Sequence, residues 1–155
     1  LGYNLRPTEI QGGFGIHQIK KLNKFLNIRK SNARFWRENL SKFSELIELT
    51  YTEPDHVHAN MLFAIKVKKN NYFTKNELEE FLEENGIETR PVMAGNFVMQ
   101  PVAKMIKFKS SGKLKNSTDI MHNSFLIGNH QDIDCNSRKY VLEQITKFIK
   151  SRTSR

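Results

Sequence analysis

A single cysteine, Cys135, stands in 155 residues. No disulfide can close within the chain, and such scarcity fits a reducing compartment. Cys135 is also a poor candidate nucleophile, because a reactive thiol needs an electropositive, paired setting that its sequence neighbours do not provide. No apolar run approaches the roughly 18 to 20 residues that cross a bilayer, and the first residues lack the charged-then-apolar plan of a signal peptide. A cytoplasmic protein with no membrane segment is expected. The common catalytic signatures are missing too: the run GGFG at residues 12–15 has neither the G-x-G-x-x-G spacing nor a preceding strand, and there is no G-x-S-x-G elbow, H-E-x-x-H helix or P-loop. There is no internal repeat. The sequence opens at Leu1, without an initiator Met, directly into a dense motif, and so reads as a piece of a longer protein.

What is present is globular. Hydrophobic residues make up 38% and charged residues 26%, a balance that excludes disorder, and the length suits one core. The 25 Lys+Arg against 16 Asp+Glu give a net charge of +9. Anionic partners are therefore expected, whether nucleic acid, phosphorylated metabolites or an acidic protein surface. The Lys-rich stretch 104–115 holds a single aromatic, Phe108, and lacks the stacking platforms of a single-strand binder. Nucleic acid is the less favoured partner, and a solvated, mobile loop the simpler reading of that stretch.

Along the chain, residues 1–7 read as an extended arm, because Pro7 disfavours helix at Arg6. Thr8 then serves as a helix N-cap, and Ile10, Phe14, Leu22, Phe25 and Leu26 recur at helical spacing. Gly12, Gly13 and Gly15 weaken that helix, each by up to about 1 kcal/mol, which predicts close packing against another backbone. Residues 23–43 predict a second, longer amphipathic helix with a basic face. After the turn at residues 53–55, residues 58–67 alternate as a strand. Thr74 and Glu77 form a capping box for a helix that Asn85-Gly86 stops. Residues 87–92 predict a strand, 98–106 a short helix, 124–127 a strand and 137–149 a closing helix, with the last residues frayed. The expected fold class is α+β: two leading helices over residues 1–43, then a domain over 44–155 with a small sheet packed by helices.

Three stretches concentrate Gly with Asn, Arg or His: LGYNLRPTEIQ, GIETRPVMAGN and FLIGNH. Arg forks suit phosphate and carboxylate, Asn an oxygen or amide, and Gly close backbone approach, which points to a site for a polar, anionic ligand. His56 and His58 share a strand face at a spacing that could begin a metal site, but no third ligand accompanies them.

The opening LGYNLRPTEIQ resembles the G-Y-N-x-R-x-T-E-I-Q segment of the DegT-type family of nucleotide-sugar aminotransferases and dehydratases. GIETRPVMAGNFVMQP and IGNH are similar to its 3-dehydratase branch, which makes deoxysugars for surface polysaccharides such as lipopolysaccharide. The resemblance covers nearly the whole chain but only the final two-fifths or so of the family's length. It implies the small carboxy-terminal domain of a pyridoxal-phosphate enzyme of fold type I, with a mainly antiparallel sheet. It further implies that Asn4 reaches the cofactor phosphate of the neighbouring subunit of a homodimer, and that Arg6 lies beside that shared site. Arg90, Gly95, Asn96, Asn129 and His130 would line the pocket for a nucleotide-diphosphate sugar. Gly2 and the TEIQ helix would be architectural. The family's cofactor half, with the Schiff-base lysine or the histidine that replaces it in the 3-dehydratases, has no counterpart in these 155 residues. PLP or PMP would therefore belong to the intact enzyme, with none bound to this piece and no catalysis by it alone. A sugar aminotransferase fragment, a basic nucleic-acid-binding module and a stand-alone interaction domain are the alternatives.

Overall fold

The computed structural model describes residues 6–154. Helix α1 (Glu9–Ile19) and helix α2 (Leu22–Leu40) lead into a sheet whose first two strands are β1 (Ile47–Leu49) and β2 (Leu62–Val67). Helix α3 (Lys75–Glu84) follows, then β3 (Thr89–Pro91), helix α4 (Lys115–Asn123), β4 (Ser124–Gly128) and helix α5 (Cys135–Thr153). The strand order is β1-β2-β4-β3, and every neighbouring pair is antiparallel. This is the expected α+β architecture.

Strand alternation divides the sheet into two faces. Phe63 pairs with Ile127, Ile65 with Phe125, and Ile47 with Val67. All six are buried and face α2, α3 and α5. Those helices supply Ala33, Trp36 and Leu40, then Leu78 and Leu82, then Ile145, Phe148 and Ile149. Trp36 meets Phe63 edge-on at 5.2 Å and donates its indole N–H to the Arg138 carbonyl at 2.9 Å, so its one polar atom is satisfied within the core. The opposite face carries Ala64 beside Leu126 and Lys66 beside Ser124, and α4 packs there. Lys66 reaches Asp119 of α4 at 2.6 Å and Glu48 of β1 at 3.3 Å.

Local chemistry sets the best-defined elements. The Glu77 carboxylate accepts from the Thr74 backbone N–H at 2.8 Å, and the Thr74 hydroxyl accepts from the Glu77 N–H at 3.3 Å. At the other end Gly86 takes φ +74°, and the Ile87 N–H returns to the Leu82 carbonyl at 2.9 Å, which closes α3 as its sequence predicts. Thr8 caps α1 and donates its backbone N–H to the Gln11 side chain.

Several expectations are corrected. The strand predicted over residues 58–67 starts at Leu62, because Asn60 adopts φ +49° and breaks the extended run. His56 and His58 thus lie in irregular chain, and His58 Nδ1 accepts from the Asn60 N–H. Strand β1 was not foreseen, since three residues are too few to display alternation. The second helix stops at Leu40, and residues 41–43 form a 3-10 turn. In place of one helix over residues 98–106 there are two 3-10 turns, Phe97–Met99 and Pro101–Met105. Helix α4 was missed. The frayed tail is helical to Thr153, where the Ser151 and Thr153 hydroxyls bond back to the Phe148 and Ile149 carbonyls. Among the described residues, the predicted tight packing of Gly12, Gly13 and Gly15 is not met: a Cβ on any of them would meet open space, and α1 buries no residue.

Candidate functional site

Antiparallel pairing of β3 with β4 sets Arg90 opposite Leu126 and brings the end of β4, with Asn129 and His130 after it, beside the entry to β3. The two strand ends and the first turns of α5 enclose a groove of about 1040 Å3. Its floor is apolar, made by Leu62, Ile87, Ile127, Ile133 and Val141, while Arg29, Glu88, Arg90, His130 and Tyr140 form a polar rim. An apolar floor with a few convergent polar groups is the usual construction of a small-molecule site.

Arg90 is exposed, and its guanidinium donates Nε–H to a Glu88 carboxylate oxygen at 2.9 Å, with Nη2 at 2.8 Å from the same oxygen. His130 lies 3.1 Å from the Asp132 carboxylate through Nδ1, and its Nε2 is 2.8 Å from the Gln131 amide nitrogen. The Asp132 backbone N–H also donates to His130 Nδ1 at 3.3 Å, so the turn after β4 fixes the orientation of the ring. Arg29, from α2, donates to the Gln131 side chain at 3.0 Å, and Tyr140 donates its hydroxyl to the Asn85 carbonyl at 2.9 Å. The α5 start is held by Asp134, which accepts from the Ser137 N–H at 2.7 Å; that bond keeps the Asp134 carboxyl below its ordinary range.

Asn129 lines the groove yet is 0% exposed. Its amide nitrogen donates to the Arg29 carbonyl at 2.9 Å and the Asn60 carbonyl at 2.7 Å, so it ties α2, the loop before β2 and the end of β4 together. Its Oδ1 is buried without a partner among the described residues. Arg37 strengthens the same knot by donating to Asn60 Oδ1 at 2.8 Å and to the Thr50 carbonyl at 3.2 Å.

Of the residues singled out in the sequence, Arg90, Asn129 and His130 meet at this groove. Gly95 and Asn96 do not. They pack on α4, where the Asn96 amide donates to the Thr118 hydroxyl at 3.0 Å and its backbone N–H approaches Met121 Sδ at 3.4 Å. Gly95, at φ +57°, leaves no space for a side chain, since a Cβ would overlap Met121. Arg6 is exposed ahead of α1 and does not line the groove, and Asn4 lies outside the described residues. Sequence reasoning missed Arg29, Glu88 and Tyr140. The first and last sit inside helical patterns that conceal which way they face, and Glu88 reads as an ordinary turn-exit acid.

The model of the DegT/DnrJ/EryC1/StrS aminotransferase family matches residues 1–146. The chain belongs to that family. Among its relatives, the GDP-4-keto-6-deoxy-D-mannose 3-dehydratase of Escherichia coli O55:H7 is 33% identical over 131 residues, 84% of this chain and 33% of that protein. The lipopolysaccharide biosynthesis protein RfbH of Salmonella typhimurium is 30% identical over 148 residues, 96% of this chain and 34% of that protein. A solved GDP-4-keto-6-deoxymannose-3-dehydratase with a trapped PLP-glutamate geminal diamine superposes with a TM-score of 0.84 at 29% identity, over 94% of this chain and 37% of that one. This DegT-family chain thus spans about a third of the length of these relatives. They include nucleotide-sugar 3-dehydratases, as the sequence resemblance implied, and the α+β unit has the fold of the matching part of a PLP enzyme of fold type I. No helix among the described residues is long and apolar enough to cross a membrane.

Among the described residues no lysine lines the groove, so its walls offer guanidinium, imidazole and hydroxyl groups but no amine that could form an imine with a pyridoxal aldehyde. The groove itself therefore supplies no Schiff-base lysine.

Proposed function

We propose that this chain is the carboxy-terminal part of a PLP- or PMP-dependent 3-dehydratase acting on a nucleotide-diphosphate 4-keto-6-deoxy sugar, in deoxysugar and lipopolysaccharide biosynthesis. The observation that carries the reading is the meeting of Arg90 and His130, from two stretches distant in sequence, on one groove of a chain that spans a third of the 3-dehydratases it matches. The chain's own task in this reading is to hold the substrate. Arg90 attracts a phosphate, His130 and Tyr140 offer hydrogen bonds at the rim, and the apolar floor excludes water beneath the ligand. Asn129 keeps the groove in shape from below. Between Thr89 and Thr118 the sequence has no acidic residue, so the wall beyond β3 adds to the positive field.

Residues 1–43 carry the arm and helices that lead from the cofactor-binding part, with α2 packing its Ala33, Trp36 and Leu40 into the core of the α+β unit that residues 44–155 otherwise form. Asn4 and Arg6 then serve a site shared across a homodimer in the cytoplasm, and the piece alone performs no chemistry. Ile10, Phe14 and Ile19 of α1, 65–73% exposed, give that dimer or the cofactor part an apolar face to cover.

Calorimetric titration with GDP tests the groove. The chain is expected to bind it, and Arg90→Gln to weaken binding by about tenfold, the ordinary loss for a charge-assisted hydrogen bond. Equal binding by parent and variant overturns the reading. In the longer protein, a histidine at the Schiff-base position supports the dehydratase, a lysine replaces it with the aminotransferase, and the absence of both removes the proposal.

A further inference from the structure

We propose that Glu88 is an internal counter-ion that competes with the ligand's phosphate for Arg90 and so sets the anion affinity of the groove; this rests on the reading of the groove as a phosphate-binding site. Glu88 immediately precedes β3 and Arg90 is the second residue of that strand, and their side chains meet directly. One Glu88 oxygen takes both the Nε–H, at 2.9 Å, and the Nη2 group, at 2.8 Å. Those two donors form one edge of the guanidinium, the edge that a phosphate or carboxylate grips in bidentate fashion. An incoming phosphate must either displace Glu88 or settle for the remaining Nη1 side.

The pair is built for displacement. Both side chains are largely exposed, at 65% for Arg90 and 74% for Glu88, and an ion pair in that setting is weak and screened by salt. Among the described residues, Glu88 is also the one acidic residue lining the groove. Asp132, the carboxylate beside His130, lies outside the lining. Glu88 thus stands where a phosphate would bind and repels one that approaches. The free groove keeps its cation paired, and only a ligand whose charge exceeds that of a single carboxylate gains by replacing it.

Inorganic pyrophosphate is the probe, titrated into the chain at low ionic strength. Calorimetry reads the Kd, and the Arg Nε–H resonance of Arg90 reads the contact directly. Glu88→Gln should tighten binding about threefold, the factor that an exposed ion pair supports, and should shift the Arg90 resonance even without ligand. Glu143→Gln, the same charge change on the outer side of α5, should alter Kd much less. In the Glu88→Gln/Arg90→Gln double variant the gain should vanish. An unchanged Kd in Glu88→Gln, with binding still lost in Arg90→Gln, overturns the role of Glu88 and leaves the groove reading standing. An equal gain in Glu143→Gln, or a gain that survives loss of Arg90, also overturns it, because only bulk charge would then be at work. Pyrophosphate binding that Arg90→Gln leaves intact, or no binding by any variant, removes the groove reading and the inference together.

Discussion

The face of the sheet under α2, α3 and α5 and the open stretches, α1 and residues 93–108, are built from the same apolar residue types, yet only one is closed. Trp36, Phe63, Leu78 and Phe148 are almost wholly enclosed, whereas Ile10, Phe14, Met93 and Met105 stand mostly in solvent. Amphipathic spacing shows that a face needs cover. It does not show where the cover comes from, and in a chain spanning a third of its relatives' length the two cases separate. Where the partner is another element of the same 155 residues, the core is complete. Where an apolar face finds none, it fits the proposed role as one wall of a larger enzyme.

The largest break in that comparison is Trp36→Ala. It removes a fully buried ring, its edge contact with Phe63 and the bond to the Arg138 carbonyl, and should lower stability by about 4 kcal/mol in urea unfolding. Phe14→Ala, on the open face, should change stability by no more than about 0.5 kcal/mol. A comparable loss from Phe14→Ala would show that α1 is covered in solution, and light scattering would then reveal a second copy.

Asn129→Ala is next, at about 2 kcal/mol. The substitution strips two carbonyls, those of Arg29 and Asn60, of their buried donor, and unmet buried carbonyls carry a desolvation penalty. Since those bonds hold three segments around the groove, GDP affinity should fall with stability. A stable Asn129→Ala chain with lost GDP binding would instead make Asn129 a direct ligand contact.

Gly95 and Gly112 give a finer contrast. Both have positive φ, but a Cβ meets Met121 at Gly95 and open space at Gly112. Ala at Gly112 should cost about 1 kcal/mol from backbone strain alone. At Gly95 the cost should reach about 2 kcal/mol, because the overlap involves the Cβ and Cγ of Met121 and the helix backbone behind them must shift. Equal losses at the two sites would show that α4 yields without resistance.

Helix α3 and helix α4 explain how much of this was legible. The start and stop of α3 are written in adjacent residues, Thr74, Glu77 and Gly86, so a local reading finds them. Leu114, which precedes α4, has φ +47° and makes no side-chain cap. That helix is held from afar, by Lys66 of β2 and by the sulfur and amide contacts of Met121 and Thr118 with residues 96–100. No neighbouring residue announces it. The site divides in the same way. Arg90 and His130 stand out by residue type and resemblance, but their meeting depends on β3 pairing with β4, a long-range event. Gly95 and Asn96 carry the same marks of polar density and are used for packing on α4.

The gentlest test concerns the ion pair that pins α4 to the sheet. Lys66 bonds Asp119 and Glu48, which raises its pKa above 10.5, the hydrogen bond to Asp119 being the main cause. Asp119 is held below 3.8, chiefly by the same bond and then by the Asn123 amide. A depressed carboxyl contributes stability above its unfolded value and loses it as pH falls through the folded one; a raised amine contributes below 10.5 and loses it as pH climbs past its folded value. The α4 contact should therefore hold steady from about pH 5 to pH 10 and weaken at both limits. Because Asp119 is 45% exposed, the effect should be small and should shrink in salt. Asp119→Asn should flatten the acid limb of stability below pH 4 while leaving Trp36 fluorescence at neutral pH unchanged. An acid limb that keeps its slope in Asp119→Asn would assign it to other carboxylates, with Glu77 and Asp134, both held low by backbone N–H bonds, the next to vary.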